Sequence, residues 1–232
     1  MADIQTRLAD VRQRIRIAEK AADRPAQCVR LLAVSKTFDA QAIRLAHAAG
    51  QHEFGENYLQ EALTKREQLA DLPLVWHFIG PLQSNKTRAV AEAFDWVHGV
   101  DREKIAVRLA EQRPAGLPPL QICVQVNISG EASKSGCAPA DTAALCAAVA
   151  RLPRLRLRGL MAIPEPGAGD PRAPFHALHA LYESLQRQGH ALDTLSAGMS
   201  DDLEAAIAEG STLVRVGSAI FGSRPRKPVQ AP

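Results

Sequence analysis

Short apolar runs alternate with longer amphipathic stretches along most of the chain. The apolar runs predict eight β-strands, at residues 31–35, 53–55, 75–79, 96–100, 121–126, 157–163, 194–197 and 213–216. The amphipathic stretches predict helices at residues 4–21, 39–48, 57–70, 85–93, 102–112, 139–151, 173–188 and 201–209. One strand and one helix recur about every 25 residues, which is the pattern of repeated β-α units around a parallel sheet.

Eight such units predict a closed (β/α)8 TIM barrel, although a typical barrel has about 250 residues and this chain has 232. After the eighth strand the chain runs through Phe221 and Gly222 into a proline-rich tail that is too short for a helix. We therefore expect the N-terminal helix to cover the eighth strand from outside. An open doubly wound sheet is the alternative, because short apolar runs are easily miscounted. The predicted organisation is one barrel domain at residues 1–222 and a disordered, basic, proline-rich tail at residues 223–232.

Composition narrows the class of protein. No segment approaches the roughly 20 apolar residues that span a bilayer, and the first residues lack the apolar core of a secretory signal. We therefore expect a cytoplasmic protein with no membrane partner. A net charge of only +3 and 4% aromatic residues do not indicate nucleic-acid binding. The four cysteines show no C-x-x-C pair, so we expect reduced thiols and no metal site, and without a strongly apolar surface helix we expect a monomer.

Lys36 is the first candidate for chemistry, because it lies where a short apolar strand stops and a polar loop begins. A lysine amine beside a dry pocket loses its proton more readily than one in water, and the free amine attacks carbonyl carbons. This position therefore suggests Schiff-base formation. The simpler interpretation is a solvated lysine that ends a strand at the surface.

The loops after the seventh and eighth predicted strands suggest a phosphate site. In such barrels the carboxyl ends of the strands form one face, and phosphate often binds in these two loops. Gly217 allows an anion close to the backbone, the amides of Gly217 and Ser218 can donate, and Ser200 offers a hydroxyl. The alternative is that Ser200 only caps a helix. Asp201 and Asp202 would repel a phosphate, so we expect them to point to solvent.

Arg215 lies two positions before Gly217 in an apolar strand, so alternation points both toward the same side. A buried arginine needs a partner, and a core ion pair is one interpretation. The functional interpretation is an arginine that faces the ring nitrogen of a heteroaromatic cofactor, with Lys36 at its aldehyde. His77 lies within an apolar run and is interpreted as a core histidine.

Several motifs together resemble the pyridoxal phosphate homeostasis protein family, which is similar to the N-terminal barrel of alanine racemase. They are AVSKT at 33–37, FGENY at 54–58, HFIGPLQSNK at 77–86, VNIS at 126–129, GLM at 159–161, GMSDDLEAAI at 198–207 and VRVGSAIFG at 214–222. The resemblance covers residues 4–222. It implies a barrel like that of fold-type III pyridoxal phosphate proteins, without the C-terminal β domain that follows it in alanine racemase.

The resemblance also implies the roles of individual residues. Lys36 would hold pyridoxal 5'-phosphate (PLP) as a Schiff base, Ser200, Gly217 and Ser218 would hold its phosphate, Arg215 would face the pyridine nitrogen, and Asn57 would belong to the pocket. An arginine at that nitrogen disfavours ring protonation and weakens the cofactor as an electron sink.

The function implied is that of a PLP-binding protein which buffers the vitamin B6 cofactor or delivers it to apo PLP-dependent enzymes, with no catalytic residue. Alanine racemase takes its second acid/base, a tyrosine, from the domain that is expected to be missing here. A PLP-dependent amino-acid racemase or related enzyme is the alternative. A cofactor-free aldolase, in which Lys36 bonds its substrate directly, is a third possibility.

Overall fold

The parallel strands close on themselves because the last strand pairs with the first. The computed structural model describes residues 3–131, 135–164 and 170–223, and within these its barrel has eight strands in chain order. Leu32 of the first strand is in register with Arg215 of the last. The predicted TIM barrel is confirmed, and the open doubly wound sheet is wrong, since an open sheet leaves its terminal strands unpaired. The strands are β1 Arg30–Val34, β2 Glu53–Glu56, β3 Val75–Phe78, β4 Trp96–Val100, β5 Leu120–Gln125, β6 Leu155–Met161, β7 Thr194–Ser196 and β8 Leu213–Val216.

Helices follow the strands and cover the barrel from outside. They are α1 Ile4–Ala21, α2 Ala40–Ala48, α3 Leu59–Gln68, α4 Thr87–Ala93, α5 Glu103–Gln112, α6 Thr142–Ala150, α7 Ala173–Arg187, α8 Leu203–Ala208 and α9 Ser218–Phe221, with 3-10 turns at Ser84–Lys86 and Pro139–Asp141. Asp3 and Asp39 cap α1 and α2, because their carboxylates accept from the amides of Thr6 and Ala42.

Helix α1 takes the place of a long helix after β8. It packs against α2, α8 and α9, and it buries Leu8, Val11 and Ile15. Among the described residues after β8, the only helix is the single turn of α9, which the sequence pattern did not predict. The expectation that the N-terminal helix covers the eighth strand therefore agrees with the packing.

The strands alternate between the barrel interior and the helical layer. Ala33, Val214 and Val216 belong to the large apolar cluster shared with the helices, whereas Leu32 and Leu213 form a separate cluster with Val34 and Ile79. Since successive strand residues face opposite sides, Arg215 lies on the interior side with Leu213.

Two differences from the predicted elements matter for the site. Helix α8 begins at Leu203, two residues later than predicted, and α3 begins at Leu59, so Asn57 lies in the loop before it. Residues 224–232 of the predicted tail lie outside the described residues, so its disorder and the domain boundary stay predictions. No helix in the described ranges is both long and apolar enough to cross a membrane.

Candidate functional site

All six residues that the sequence singles out line one cavity of about 300 Å³ at the carboxyl end of the barrel. They come from the loops after β1, β2, β7 and β8, from β8 itself and from the start of α9: Lys36, Asn57, Ser200, Arg215, Gly217 and Ser218. Apolar side chains complete the wall, namely Val34, Phe38, Ile79, Ile163 and Met199. The cavity thus combines an amine, a guanidinium, an amide and two hydroxyls with apolar surface, which is the usual composition of a small-molecule site.

Lys36 lies two residues after the end of strand β1 and is half-buried at the cavity wall. Its neighbours along the chain are held firmly. The hydroxyl of Ser35 donates to Glu56 at 2.7 Å, and the amide of Thr37 donates to Glu61 at 2.6 Å. Lys36 thus lies at a cavity wall on a firmly held segment, which favours the functional interpretation over that of a solvated lysine at a strand end.

Two serines from different loops meet at one end of the cavity. The Ser218 hydroxyl donates to the Ser200 hydroxyl at 3.1 Å. The carbonyl oxygen of Ser200 accepts from Arg14 at 2.9 Å, and Arg14 also pairs with Glu204, so α1 holds the β7–α8 loop. Two adjoining hydroxyls at this end of the cavity can donate hydrogen bonds to an anion.

Ser200 does not cap α8, because that helix begins at Leu203 and Asp202 occupies the capping position. The carboxylate of Asp202 instead accepts from the Met199 amide. Asp201 is exposed, as expected of an acid that points to solvent, although it also lines the cavity. Asp202 is half-buried, because its carboxylate is held at the Met199 amide.

Gly217 directly follows β8 and packs against the end of β1. A Cβ atom at this position would be 3.1 Å from the carbonyl oxygen of Val34. The glycine thus has a packing reason in addition to the anion-binding one inferred from the sequence. Ser218 follows as the first residue of α9, and the first amides of a helix have no intrahelical acceptor.

Arg215 is buried, and its guanidinium reaches the cavity from inside the barrel. It donates to the carbonyl oxygen of Ser196 at 2.6 Å, to the Ser196 hydroxyl at 2.7 Å and to the carbonyl oxygen of Ala162 at 2.9 Å. These acceptors are all uncharged, so the core ion pair considered for Arg215 is not what holds it. Burial lowers the pKa of Arg215 to about 10, which leaves it charged at neutral pH.

Two buried histidines continue from Arg215 into the barrel. The Ser196 hydroxyl lies 2.9 Å from Nδ1 of His98, and Nε2 of His98 lies 2.9 Å from Nδ1 of His77. Because a guanidinium only donates, Ser196 accepts from Arg215 and is left to donate to His98, which then donates from Nε2 to His77. Burial lowers the pKa of each histidine well below the ordinary value for histidine, so both side chains are neutral.

Sequence reasoning missed the role of Ser196, because its strand carries no polar motif. It interpreted His98, like His77, as a core histidine and did not connect either one to Arg215. His77 does not line the cavity and stacks on Trp96 with ring centroids 5.2 Å apart, as expected of a core histidine.

Asn57 contributes a side-chain oxygen to the cavity wall that lacks a hydrogen bond from any described residue. Its side-chain Oδ1 is buried and has no hydrogen-bond partner within the described parts of the chain. Gly80 packs against its backbone, since a Cβ atom there would come within 2.5 Å of the Asn57 carbonyl oxygen. An unpaired buried acceptor at a cavity wall is suited to a ligand that donates a hydrogen bond.

Residues 6–225 match the family model for the N-terminal domain of alanine racemase. The Pseudomonas aeruginosa protein named pyridoxal phosphate homeostasis protein is 66% identical over 97% of each chain. The chain belongs to the pyridoxal phosphate homeostasis protein family. The Escherichia coli member is 54% identical over 97% of this chain and 98% of its own, so the resemblance inferred from the motifs is confirmed.

Solved structures of the family support the same assignment. PipY of Synechococcus elongatus without PLP has a TM-score of 0.84 at 41% identity, and the match covers 95% of this chain and all of that one. The same protein with PLP bound gives 0.82 at 39% identity. An alanine racemase from Clostridium difficile matches with a TM-score of 0.75 at 12% identity, over 97% of this chain but 58% of the racemase, which shows a shared fold only.

Proposed function

We propose that this chain binds pyridoxal 5'-phosphate in the cavity described above and buffers or delivers it in the cytoplasm. The observation that carries the proposal is the convergence of Lys36, Arg215 and the Ser200–Ser218 pair in one cavity. A reactive aldehyde held in such a site is kept from reacting with other amines in the cell. We propose that the protein acts as a monomer and that its recipients are apo enzymes that use PLP.

The donor set fits the cofactor from end to end. Ser200, Ser218 and the backbone at Gly217 suit the phosphate, and the Lys36 amine is the group that would bond to the aldehyde carbon, releasing one water. The unpaired Oδ1 of Asn57 suits the hydrogen-bond donor of a ring substituent. When bound to an amine, PLP withdraws electrons from the carbon attached to that amine.

Arg215 favours holding the cofactor over strong carbanion chemistry. Its guanidinium stays protonated at neutral pH and has no lone pair with which to accept a proton. A donor at the pyridine nitrogen is incompatible with a proton on that nitrogen, and without this proton the ring is a weaker electron sink. For this reason we propose a binding protein and not an enzyme.

The test is the absorption spectrum of purified protein with PLP, before and after borohydride. We expect a visible band that borohydride bleaches, with a cofactor-sized mass added to the peptide that contains Lys36. Lys36→Ala removes both, whereas Lys104→Ala, an exposed position on α5, leaves both unchanged. A protein that stays colourless with PLP, or whose band persists in Lys36→Ala, would overturn the proposal.

The alternative is a PLP-dependent racemase, which the shared fold with alanine racemase favours. Its second acid has no obvious candidate among the described residues. Tyr58 is exposed beside Asn57, and Tyr182 lies outside the cavity on α7, where burial raises its pKa to about 12. Saturable exchange of α-deuterium into amino acids, dependent on PLP and on Lys36, would favour the racemase. Borohydride trapping that needs a carbonyl substrate but no PLP would favour the aldolase.

A further inference from the structure

Thr37, the residue directly after Lys36, has a strained backbone. Its φ is 70°, in the left-handed region, and it is the only β-branched residue among the four non-glycine residues with positive φ in the described ranges. Its hydroxyl is also buried and has no hydrogen-bond partner in those ranges. Such strain persists only where the surrounding structure holds it, and it concentrates at functional sites.

A buried cluster next to Thr37 supplies that restraint. Lys65 of α3 is 4% exposed, and its ammonium donates to the carbonyl oxygen of Ser35 at 2.8 Å, to Glu56 at 2.7 Å and to Glu61 at 2.5 Å. An ammonium has three protons, so all of them are used. We call Lys65, Glu56 and Glu61 the Lys65 clamp.

The clamp holds the backbone on both sides of Lys36. On one side Lys65 binds the Ser35 carbonyl oxygen, and on the other Glu61 accepts from the Thr37 amide with the same oxygen that binds Lys65. The direction of the Lys36 side chain depends on the backbone between these two points. A relaxed φ at Thr37 would turn the chain immediately after Lys36.

We propose that Lys65 is a positioning residue for Lys36. The clamp keeps Thr37 in its left-handed conformation, and this turn directs the Lys36 amine into the cavity. The inference rests on the proposed function for its purpose, because an aimed amine matters only where an aldehyde is to be bound. Desolvation of the buried charges offsets much of their attraction, so a gain in net stability does not by itself explain why the cluster is there.

The backbone preference of the residue at position 37 distinguishes a positioning role of Lys65 from a merely structural one. Asparagine adopts the left-handed region far more readily than threonine, so Thr37→Asn holds the turn without the clamp. We expect Lys65→Met to stay folded and to slow attachment of PLP at Lys36 by about tenfold or more. Adding Thr37→Asn to Lys65→Met restores the rate to within about twofold of Thr37→Asn alone. Lys104→Met serves as the exposed control.

A second measurement separates this inference from the proposed function. Reductive methylation of the cofactor-free protein by formaldehyde and a borane, followed by peptide mass spectrometry, reports how readily Lys36 reacts and over what pH range. We expect Lys65→Met to change the rate of methylation at Lys36 and its pH profile. Adding Thr37→Asn to Lys65→Met should restore both the rate and the profile. If wild-type protein fails to take PLP, the proposed function fails while this comparison still decides the role of Lys65.

Two results would overturn the inference. One is a folded Lys65→Met protein with wild-type rates in both measurements, and the other is a loss that Thr37→Asn leaves unrepaired. If Lys65→Met does not fold, Glu61→Ala replaces it, because this change removes the acceptor of the Thr37 amide and leaves the pair of Lys65 with Glu56. The same two results then decide the question.

Discussion

Arg215 donates to both the carbonyl oxygen and the hydroxyl of Ser196, at 2.6 and 2.7 Å. The arginine lines the cavity, whereas Ser196 lies at the end of β7, where its hydroxyl also forms a hydrogen bond with His98. A polar group in the cavity wall is thereby fixed by groups inside the barrel. The hydrogen bonds run in one direction because the guanidinium has no acceptor.

Removing the Ser196 hydroxyl should therefore destabilise the protein. Ser196→Ala removes one of the three acceptors of Arg215 and leaves Nδ1 of His98 without its buried donor, and we expect the free energy of unfolding to fall by about 1–3 kcal/mol. Chemical denaturation measures this loss. Ser129→Ala, at an exposed turn, is the control and should change stability little. An equally small change for Ser196→Ala would contradict the hydrogen-bond chain.

The buried histidine pair should make stability depend on pH below neutrality. His77 and His98 have depressed pKa values in the folded protein, while unfolded histidine titrates near 6.5. As the pH falls below 6.5, the unfolded chain binds protons that the folded chain excludes, so the free energy of unfolding decreases. We expect a slope of up to about 1.4 kcal/mol per pH unit for each histidine, present at low pH and absent above pH 7.

Denaturation at a series of pH values measures this slope. We expect His98→Asn to have a smaller slope than wild type whatever its absolute stability, because one of the two groups no longer titrates. His176→Gln, at an exposed position on α7, controls for the loss of a histidine. A slope that is the same in wild type and His98→Asn would mean that His98 is protonated in the folded protein.

Gly80→Ala should disturb the site through Asn57. The added Cβ atom would lie 2.5 Å from the Asn57 carbonyl oxygen, so the loop after β2 has to move. We expect a loss of stability of about 1–3 kcal/mol together with weaker PLP binding, measured by thermal unfolding and by absorbance titration. Gly116→Ala is the matched control, because nothing lies within 4 Å of its Cβ position. Unchanged binding in a folded Gly80→Ala protein would argue against a role for Asn57.

Cys123 and Cys146 should resist alkylation in the native protein. Both are buried, and burial raises the pKa of each thiol to about 12. Iodoacetamide reacts with the thiolate, so at pH 8 we expect these two residues to stay unmodified until the protein is denatured. Peptide mass spectrometry before and after denaturation checks this, and rapid native labelling of Cys123 would show that the barrel opens locally.

Most of the fold could be predicted from the sequence, because the patterns that indicate strands and helices are local. Apolar runs and amphipathic stretches repeat in order, and the carboxyl ends of parallel strands share one face, so Lys36, Ser200 and Gly217 could be expected near each other. The start of α8 was misjudged because Asp202 binds the Met199 amide and does not extend the helix toward Asp201. Which of the cavity residues contact PLP stays a prediction.

The sequence by itself determined the order of strands and helices, the face that carries the candidate site and the residues that approach it. Only the tertiary structure decided how those residues are held. Arg215 is bound by uncharged oxygens and not by a carboxylate. The loop that carries Lys36 is restrained by Lys65 of helix α3, which binds the carbonyl oxygen of Ser35. The physical reason is distance along the chain: His98 and Ser196 meet although 98 positions separate them, and no local pattern encodes such a contact.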